Sequence, residues 1–373
     1  MPRAFVFFAA ALLPIAASAQ AADGWQACAG IAGDAQRLAC FDRWAHGQRA
    51  PAASALQQEP AAPAAPAPSS AVPQAGATVA AAPEDRDGCH DGAFSDLTRF
   101  WELKSSASCG VFGIRSYRPI SLSVIASDSV NRQPTSGNAV NNASLAQPYR
   151  TTETRIQLSV RSKLAEGLLT RGGPLSDSLW FGYTQQSYWQ LFTGAISRPF
   201  RNTDHEPEVM YVYPLAAAPV AGWTPRYVGL GVVHQSNGQS LPLSRSWNRV
   251  YLMGGAEHPG GLSLQGRVWQ RIPEDAATDD NPGISDYVGR AELTAGWRTD
   301  AGNDMRLTWR NNLRDLHHGS LRAEWLRPLG KPSAQRFGSL RLHTQLFTGY
   351  GDSLLDFNRR RTVLSVGLSL VDW

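Results

Sequence analysis

From Pro119 onward the chain alternates apolar and polar residues with a period of two. Arg155-Ile-Gln-Leu-Ser-Val-Arg161 is a clear instance, and Leu364, Val366, Leu368 and Leu370 repeat it with Ser365, Gly367 and Ser369 between them. Successive side chains of a strand point to opposite faces, so this pattern predicts strands with one apolar and one polar face. Twelve such strands are predicted, starting near Ile120, Thr154, Ser178, Glu208, Thr224, Trp247, Leu262, Ile284, Met305, Ser320, Phe337 and Thr362. Most are followed by polar or Gly/Pro/Asn/Asp clusters that make turns. Asp204 and Glu206 precede the fourth strand with no evident partner, and His317-His318 reads as a solvated turn.

An even number of two-faced strands fits a closed barrel. The alternative is a sandwich that buries the apolar face instead of presenting it to lipid, and alternation alone does not separate the two. The aromatics favour the barrel. Trp180, Tyr183, Tyr188, Trp189, Trp223, Trp247, Tyr251, Trp297, Trp325 and Tyr350 cluster near strand ends, as interface girdles do. The final residue, Trp373, looks like the aromatic insertion signal of outer-membrane barrels. The expected fold is all-β: a 12-stranded antiparallel transmembrane β-barrel.

Composition narrows this further. The chain has 373 residues, with 35 Lys+Arg against 31 Asp+Glu and a formal net charge of +4, too mild for a nucleic-acid partner. Mean hydropathy is -0.28. Beyond the N-terminus no apolar run approaches the roughly 20 residues of a membrane-spanning helix. Residues 1–19 read as a secretory signal: Arg3, an apolar stretch over 4–17, then Ala17-Ser-Ala19. Export explains the four cysteines, which fall into local pairs Cys28/Cys40 and Cys89/Cys109. Two short-loop disulfides are expected among three possible connectivities. Residues 20–48 form a small disulfide-closed segment and residues 49–88 an Ala/Pro-rich linker. Residues 89–373 hold the barrel, with a short amphipathic helix near Asp96–Lys104.

The candidate chemistry lies in His234-Gln-Ser236-Asn-Gly-Gln-Ser-Leu-Pro-Leu-Ser244-Arg-Ser-Trp-Asn248. His234 and Ser236 would share one face of a strand, together with Val232, Leu230 and Val228. A turn brings the next strand back, with Asn248 beside His234 and on the same face as Val250 and Leu252. Ser236 is then the nucleophile, His234 its base and Asn248 the group that orients the ring. All three sit on the apolar face, which is the lipid side of a barrel; a nucleophile there suits a lipid substrate. The plain alternative is a surface histidine next to a turn serine, which spacing alone does not exclude.

The block from His234 to Asn248, followed by Arg249-Val-Tyr251, closely resembles outer membrane phospholipase A of Gram-negative bacteria. So do Tyr183-Thr-Gln185-Gln-Ser-Tyr-Trp-Gln190, Ser197-Arg-Pro-Phe-Arg-Asn-Thr203 with Glu206-Pro207, Thr278-Asp-Asp280-Asn-Pro282, and Thr348-Gly-Tyr-Gly-Asp-Ser-Leu-Leu-Asp356. These blocks run in family order across roughly residues 110–373.

The resemblance implies a calcium-dependent phospholipase that hydrolyses sn-1 and sn-2 acyl esters and is active as an outer-membrane homodimer. It assigns calcium to the Ser244 hydroxyl, the Gln239 carbonyl and Ser197 of a second subunit, with Asp280 in the monomer, and places Gln185 at the dimer interface. Gln239 stands where the family usually has arginine, and Leu241 where well-known members have aspartate. The rivals are an inactive or porin-like barrel with a wide polar lumen, and an outer-membrane protease. The protease would need acidic pairs at water-facing loop tips.

Overall fold

The computed structural model describes residues 28, 30–47, 88–330 and 339–371. The signal segment, the linker, Phe337 and Trp373 lie outside the described residues. The chain divides into two units, Met1–Val79 and Ala80–Trp373. In the first, the described residues form helix α1 (Asp34–Gly47), tied to Cys28 by the Cys28–Cys40 disulfide.

The second unit is a sheet of thirteen strands: β1 (Ile114–Ser116), β2 (Ile120–Ser127), β3 (Thr152–Glu166), β4 (Ser178–Trp189), β5 (Asn202–Pro214), β6 (Thr224–Ser236), β7 (Ser246–His258), β8 (Leu262–Arg271), β9 (Ala291–Arg298), β10 (Asp304–Asn311), β11 (Ser320–Pro328), β12 (Ser339–Gly349) and β13 (Arg361–Val371). Each pairs antiparallel with its neighbour in sequence from β2 to β13, and β13 pairs back on β2. The short β1 lies on the same edge of β3 as β2, farther along it, so the two share one stave. The result is a closed 12-stranded antiparallel barrel. At the closing seam Gly367 faces Ser123, and a Cβ added there would come within 2.1 Å of the Leu122 carbonyl oxygen.

Closure decides between barrel and sandwich, and burial confirms the choice. Leu122, Val124, Val228, Leu230, Val232, Val250, Leu252, Leu364, Val366 and Leu368 are all exposed, on the outer face. Ser121, Ser123, Arg155, Ser365 and Ser369, at the alternate positions, are buried in the lumen. This is the inverted pattern of a membrane barrel, with an apolar outer band around a polar interior.

The lumen is packed with side chains. Arg201 forks onto Glu153 at 2.6 and 3.0 Å, Arg361 meets Asp356 at 2.7 Å, and Tyr251 donates to Glu208 at 2.5 Å. At the end with the short turns, helix α2 (Asp96–Trp101) inserts Leu97 and Trp101 among Trp180, Met210 and Tyr227. Glu102 follows it and pairs with the buried Lys163 at 2.7 Å, while Cys89–Cys109 fastens the segment that carries the helix. A polar cavity of about 170 Å³ remains, bordered by Trp101, Gln157, Arg267 and Glu292. This is not the wide lumen that a porin needs.

Four expectations are corrected. Ile284 begins a short helix, α3 (Ile284–Tyr287), and the strand starts at Ala291. Ile284 and Val288, four apart, bury one helical face against Trp247, Leu354 and Phe357. Strand β5 starts at Asn202, ahead of Glu208, because its polar residues point inward. There Asp204 accepts from Asn202 (2.7 Å) and Leu354 N (2.9 Å), and Glu206 pairs with Arg118 (2.7 Å) and Arg249 (3.2 Å). The aromatic set is split: Trp180, Tyr188, Trp247 and Tyr251 are lumen residues, whereas Trp297 and Trp325 are exposed on the outer face. His318 is half-buried, its Nδ1 3.0 Å from Asp315 and its ring against Tyr287 and Tyr350.

Candidate active site

Strands β6 and β7 form a hairpin whose register puts His234 directly opposite Asn248 and Ser236 opposite Ser246. Tyr227, Gly231 and Val233 are buried between the exposed Val228, Leu230, Val232 and His234. Across the pair, Trp247, Tyr251 and Met253 point inward, and Asn248, Val250 and Leu252 outward. His234, Ser236 and Asn248 therefore share the membrane-facing surface. His234 Nδ1 lies 2.8 Å from Asn248 Oδ1. The amide oxygen can only accept, so the ring carries its proton on Nδ1 and leaves a lone pair on Nε2. Ser236 lies two residues on, on the same face; no hydrogen bond joins it to His234 among the described residues.

The turn above this site is held by hydrogen bonds that spacing does not reveal. Buried Asn237 accepts from Arg245 N at 2.9 Å and donates to the Leu243 carbonyl at 2.8 Å. Arg245 is also buried. It donates to the carbonyls of Ser244 (2.6 Å) and Asn141 (2.8 Å), which binds the turn to the β2–β3 loop. Burial pulls its guanidinium down to about 10 while nearby Asp280 pulls the other way, so it stays charged at neutral pH.

Of the calcium candidates, the fold joins Ser244 and Asp280, with Ser244 Oγ donating to Asp280 Oδ2 at 2.7 Å. Two residues that spacing did not single out belong to the same cluster. Ser246 Oγ lies 3.3 Å from Asp280 Oδ2, and Asn141 Nδ2 donates to Asp280 Oδ1 at 3.1 Å. Asn141 Oδ1 is buried with no hydrogen-bond partner. Nothing local in the sequence flags Asn141, since it comes from a loop about a hundred residues away. Gln239 is in the same turn, its side chain turned aside to the Arg201 carbonyl at 3.2 Å. Ser197 lies apart, in the β4–β5 loop, donating to the Gly194 carbonyl at 3.3 Å. Leu241 is exposed. Hydroxyl, carboxylate and carbonyl oxygens, one of them a buried orphan, are the donor chemistry a hard divalent cation takes.

Gln185 is on the outer face of β4, opposite Leu158 on one side and His205 on the other. Its side-chain amide lies 3.1 Å from the Tyr183 hydroxyl and 3.2 Å from the Ser187 hydroxyl. Its neighbour Gln186 points into the lumen, where it donates to the Asp352 carbonyl at 3.0 Å.

A family model described as phospholipase A1 matches residues 97–370. The chain belongs to the phospholipase A1 family. A Neisseria meningitidis serogroup B protein, named as a candidate phospholipase A1, is 34% identical over 92% of this chain and 90% of its own length. Phospholipase A1 of Escherichia coli K12 is 36% identical over 61% of this chain and 72% of its own. Among solved structures, outer membrane phospholipase A from Escherichia coli has a TM-score of 0.58 at 32% identity, covering 69% of this chain and 94% of that one. The Salmonella typhi outer membrane phospholipase dimer with bound calcium has a TM-score of 0.59 at 32% identity, covering 70% and 93%. The protein is thus an outer-membrane β-barrel of a phospholipase family.

Proposed function

We propose that this protein is a calcium-dependent phospholipase that cleaves both sn-1 and sn-2 acyl esters, and lysophospholipids, through Ser236, His234 and Asn248. The observation that carries this reading is the 2.8 Å bond between His234 Nδ1 and Asn248 Oδ1 on the surface that faces lipid. Polar groups are costly there and are kept for function. Asn248 holds the tautomer, and His234 Nε2 takes the Ser236 proton as Oγ bonds to the acyl carbonyl carbon. The tetrahedral adduct collapses, the glyceryl oxygen leaves with the proton from His234, and water then releases the fatty acid from the serine. An asparagine stabilises the developing imidazolium less than a carboxylate would, which ester cleavage tolerates because an alkoxide leaves more readily than an amine.

The residues that would hold calcium are Ser244, the Gln239 carbonyl and Asp280, joined by Ser197 of a second copy in an active homodimer with Gln185 at its interface. Bound there, calcium would supply positive charge toward the developing oxyanion. The outer membrane dimer with bound calcium from Salmonella typhi supports this part of the reading. In the same reading residues 1–19 are a cleaved signal, residues 20–48 a small periplasmic segment, residues 49–88 a linker and residues 89–373 the enzymatic barrel. Intact mass of the exported protein tests the first of these: a mature chain beginning at Gln20 is expected.

The deciding experiment is fatty-acid release from mixed phospholipid–detergent micelles by wild type and Ser236→Ala, with calcium and with chelator. Release that needs calcium and vanishes in the variant is the expected result. Product analysis of lipids labelled separately at sn-1 and sn-2 checks the positional reading. No release from a correctly folded, heat-modifiable barrel would return the inactive-barrel alternative.

A further inference from the structure

The triad accounts for one side of Ser236, and the other side is occupied as well. Across the β5–β6 pair, Ser236 stands directly opposite His205. Directly paired residues share a face, with Cβ atoms about 4.5–5.5 Å apart. The same row continues through Gln185 on β4 and Ser246 on β7, so polar residues line one level of the outer surface across four strands. His205 is thus a second imidazole on the membrane-facing surface, flanking the nucleophile from the side away from His234.

Its ring is held. His205 Nδ1 lies 2.7 Å from the Tyr183 hydroxyl, and the two rings stack with centroids 6.2 Å apart at 28°. The Tyr183 hydroxyl has one proton, and its 2.7 Å contact with Nδ1 is shorter than its 3.1 Å contact with Gln185; given to Nδ1, it leaves the ring proton on Nε2. The Nε2 edge looks toward Gly238 in the β6–β7 turn; a Cβ added at Gly238 would sit 3.9 Å from both Nε2 and Cδ2. Gly238 has a φ of +62°, a conformation that favours glycine, so the residue facing that edge brings no side chain of its own. Among the described residues Nε2 has no hydrogen-bond partner. A held donor, half-buried beside the nucleophile on the outer face, lacks only an acceptor.

We propose that His205 is a substrate-binding residue, its Nε2–H donated to an oxygen of the lipid held beside Ser236. The acceptor is either the ester carbonyl or the phosphate, since both are oxygen acceptors within the span of one lipid. The inference rests on Ser236 being the nucleophile, as proposed above.

The test compares His205→Phe, which keeps a flat ring without the donor, with His205→Gln, which restores an N–H. Each is assayed on lysophosphatidylcholine and on the monoacylglycerol of the same chain length. Enzyme concentrations are chosen where specific activity no longer rises, so that dimerisation does not enter. His205→Phe is expected to lower kcat/KM roughly tenfold, the size of one hydrogen bond, with His205→Gln recovering most of it and heat-modifiability unchanged. A loss confined to lysophosphatidylcholine assigns the phosphate. An equal loss on both substrates assigns the ester oxygen. Wild-type kcat/KM in His205→Phe on both substrates, or a loss that Gln does not restore, overturns the inference. Ser236→Ala separates the two readings: full release by that variant removes the proposed nucleophile and this inference together, whereas an inactive Ser236→Ala beside an unaffected His205→Phe removes the inference alone.

Discussion

The outer surface of β6 and β7 and the lumen behind it use the same polar residue types under opposite conditions. In the lumen, Arg201, Glu153, Arg361 and Asp356 are buried and paired with one another, so their charges and hydrogen bonds fill the barrel and hold it closed. Outside, His234, Asn248, Ser236 and His205 stand among exposed valines and leucines, with one ring nitrogen of each histidine bonded and the rest open to a ligand. A polar group enclosed by partners contributes to the fold. One that is oriented but incompletely satisfied, on a face where lipid offers no hydrogen bonds, is positioned for chemistry. Substitutions in the two regions should therefore separate cleanly, the outer set reducing turnover and the inner set reducing stability.

The largest expected effect tests that separation from outside. Ser236→Ala should lower fatty-acid release on the order of 10⁴-fold or more while the barrel unfolds at the wild-type denaturant concentration. A shift in unfolding midpoint comparable to that of a lumen variant would break the comparison. From inside, Arg201→Ala leaves Glu153 and Asp356 buried with a partner missing, which costs about 3–5 kcal/mol. Denaturant unfolding in detergent checks it, and the fraction that remains folded should retain turnover. The same cluster carries a pH signature. Burial pushes the Asp356 carboxyl up, but Arg201 and Arg361 outweigh it and hold the carboxyl below its ordinary value near 3.8. A carboxyl lowered by folding contributes stability that is full above the unfolded value and lost as pH falls through the lowered one. Acid unfolding of wild type should steepen below about pH 4, and Arg201→Ala should blunt that dependence.

Much of the outer region is legible in the sequence because strand geometry converts spacing into facing. His234 and Ser236 differ by two, so they share a side, and the valines and leucines on that side mark it as lipid-facing. The turn length then fixes Asn248 opposite His234. The lumen is less legible, because a polar residue looks the same in a loop as in a strand that faces water or a polar interior. Asp204 and Glu206 read as loop residues for that reason, which puts the expected start of β5 at Glu208, six residues late. Ile284 misleads in the opposite way: an apolar residue near a strand boundary, it caps the lumen from a single helical turn. Asn141 and His205 could not be placed without pairing across the chain. His205 becomes meaningful only through the register of β5 on β6, and Asn141 only through a loop contact with Asp280.

A smaller effect sharpens the outer region alone. Asn248→Ala removes one hydrogen bond to a ring that becomes charged during the reaction, worth about 1.5–3 kcal/mol, or roughly 10–150-fold in turnover. The barrel should be unaffected, because Asn248 is half-exposed on the outer face. Asn248→Asp should recover part of the lost turnover, since a carboxylate accepts the same Nδ1 proton. A loss in Asn248→Ala as large as that in Ser236→Ala would instead mean that the ring has no other means of holding its orientation.

The smallest expected effect draws the boundary between the regions within one dipeptide. Gln185 and Gln186 are adjacent and chemically identical, yet Gln185 lies on the outer face between Tyr183 and Ser187, and Gln186 reaches the Asp352 carbonyl inside the lumen. Gln186→Ala removes a half-buried donor and should lower unfolding stability by about 1 kcal/mol, with dimerisation unchanged. Gln185→Ala should leave the monomer as stable as wild type and weaken the proposed dimer by about 0.6–1.7 kcal/mol, the range of a polar contact between membrane-embedded surfaces. Sedimentation equilibrium in detergent measures the second quantity and denaturant unfolding the first. If the two variants behave alike in both measurements, facing does not govern what a polar residue does in this barrel. If they exchange roles, the outward polar row is a folding element, and the proposed dimer surface must lie elsewhere.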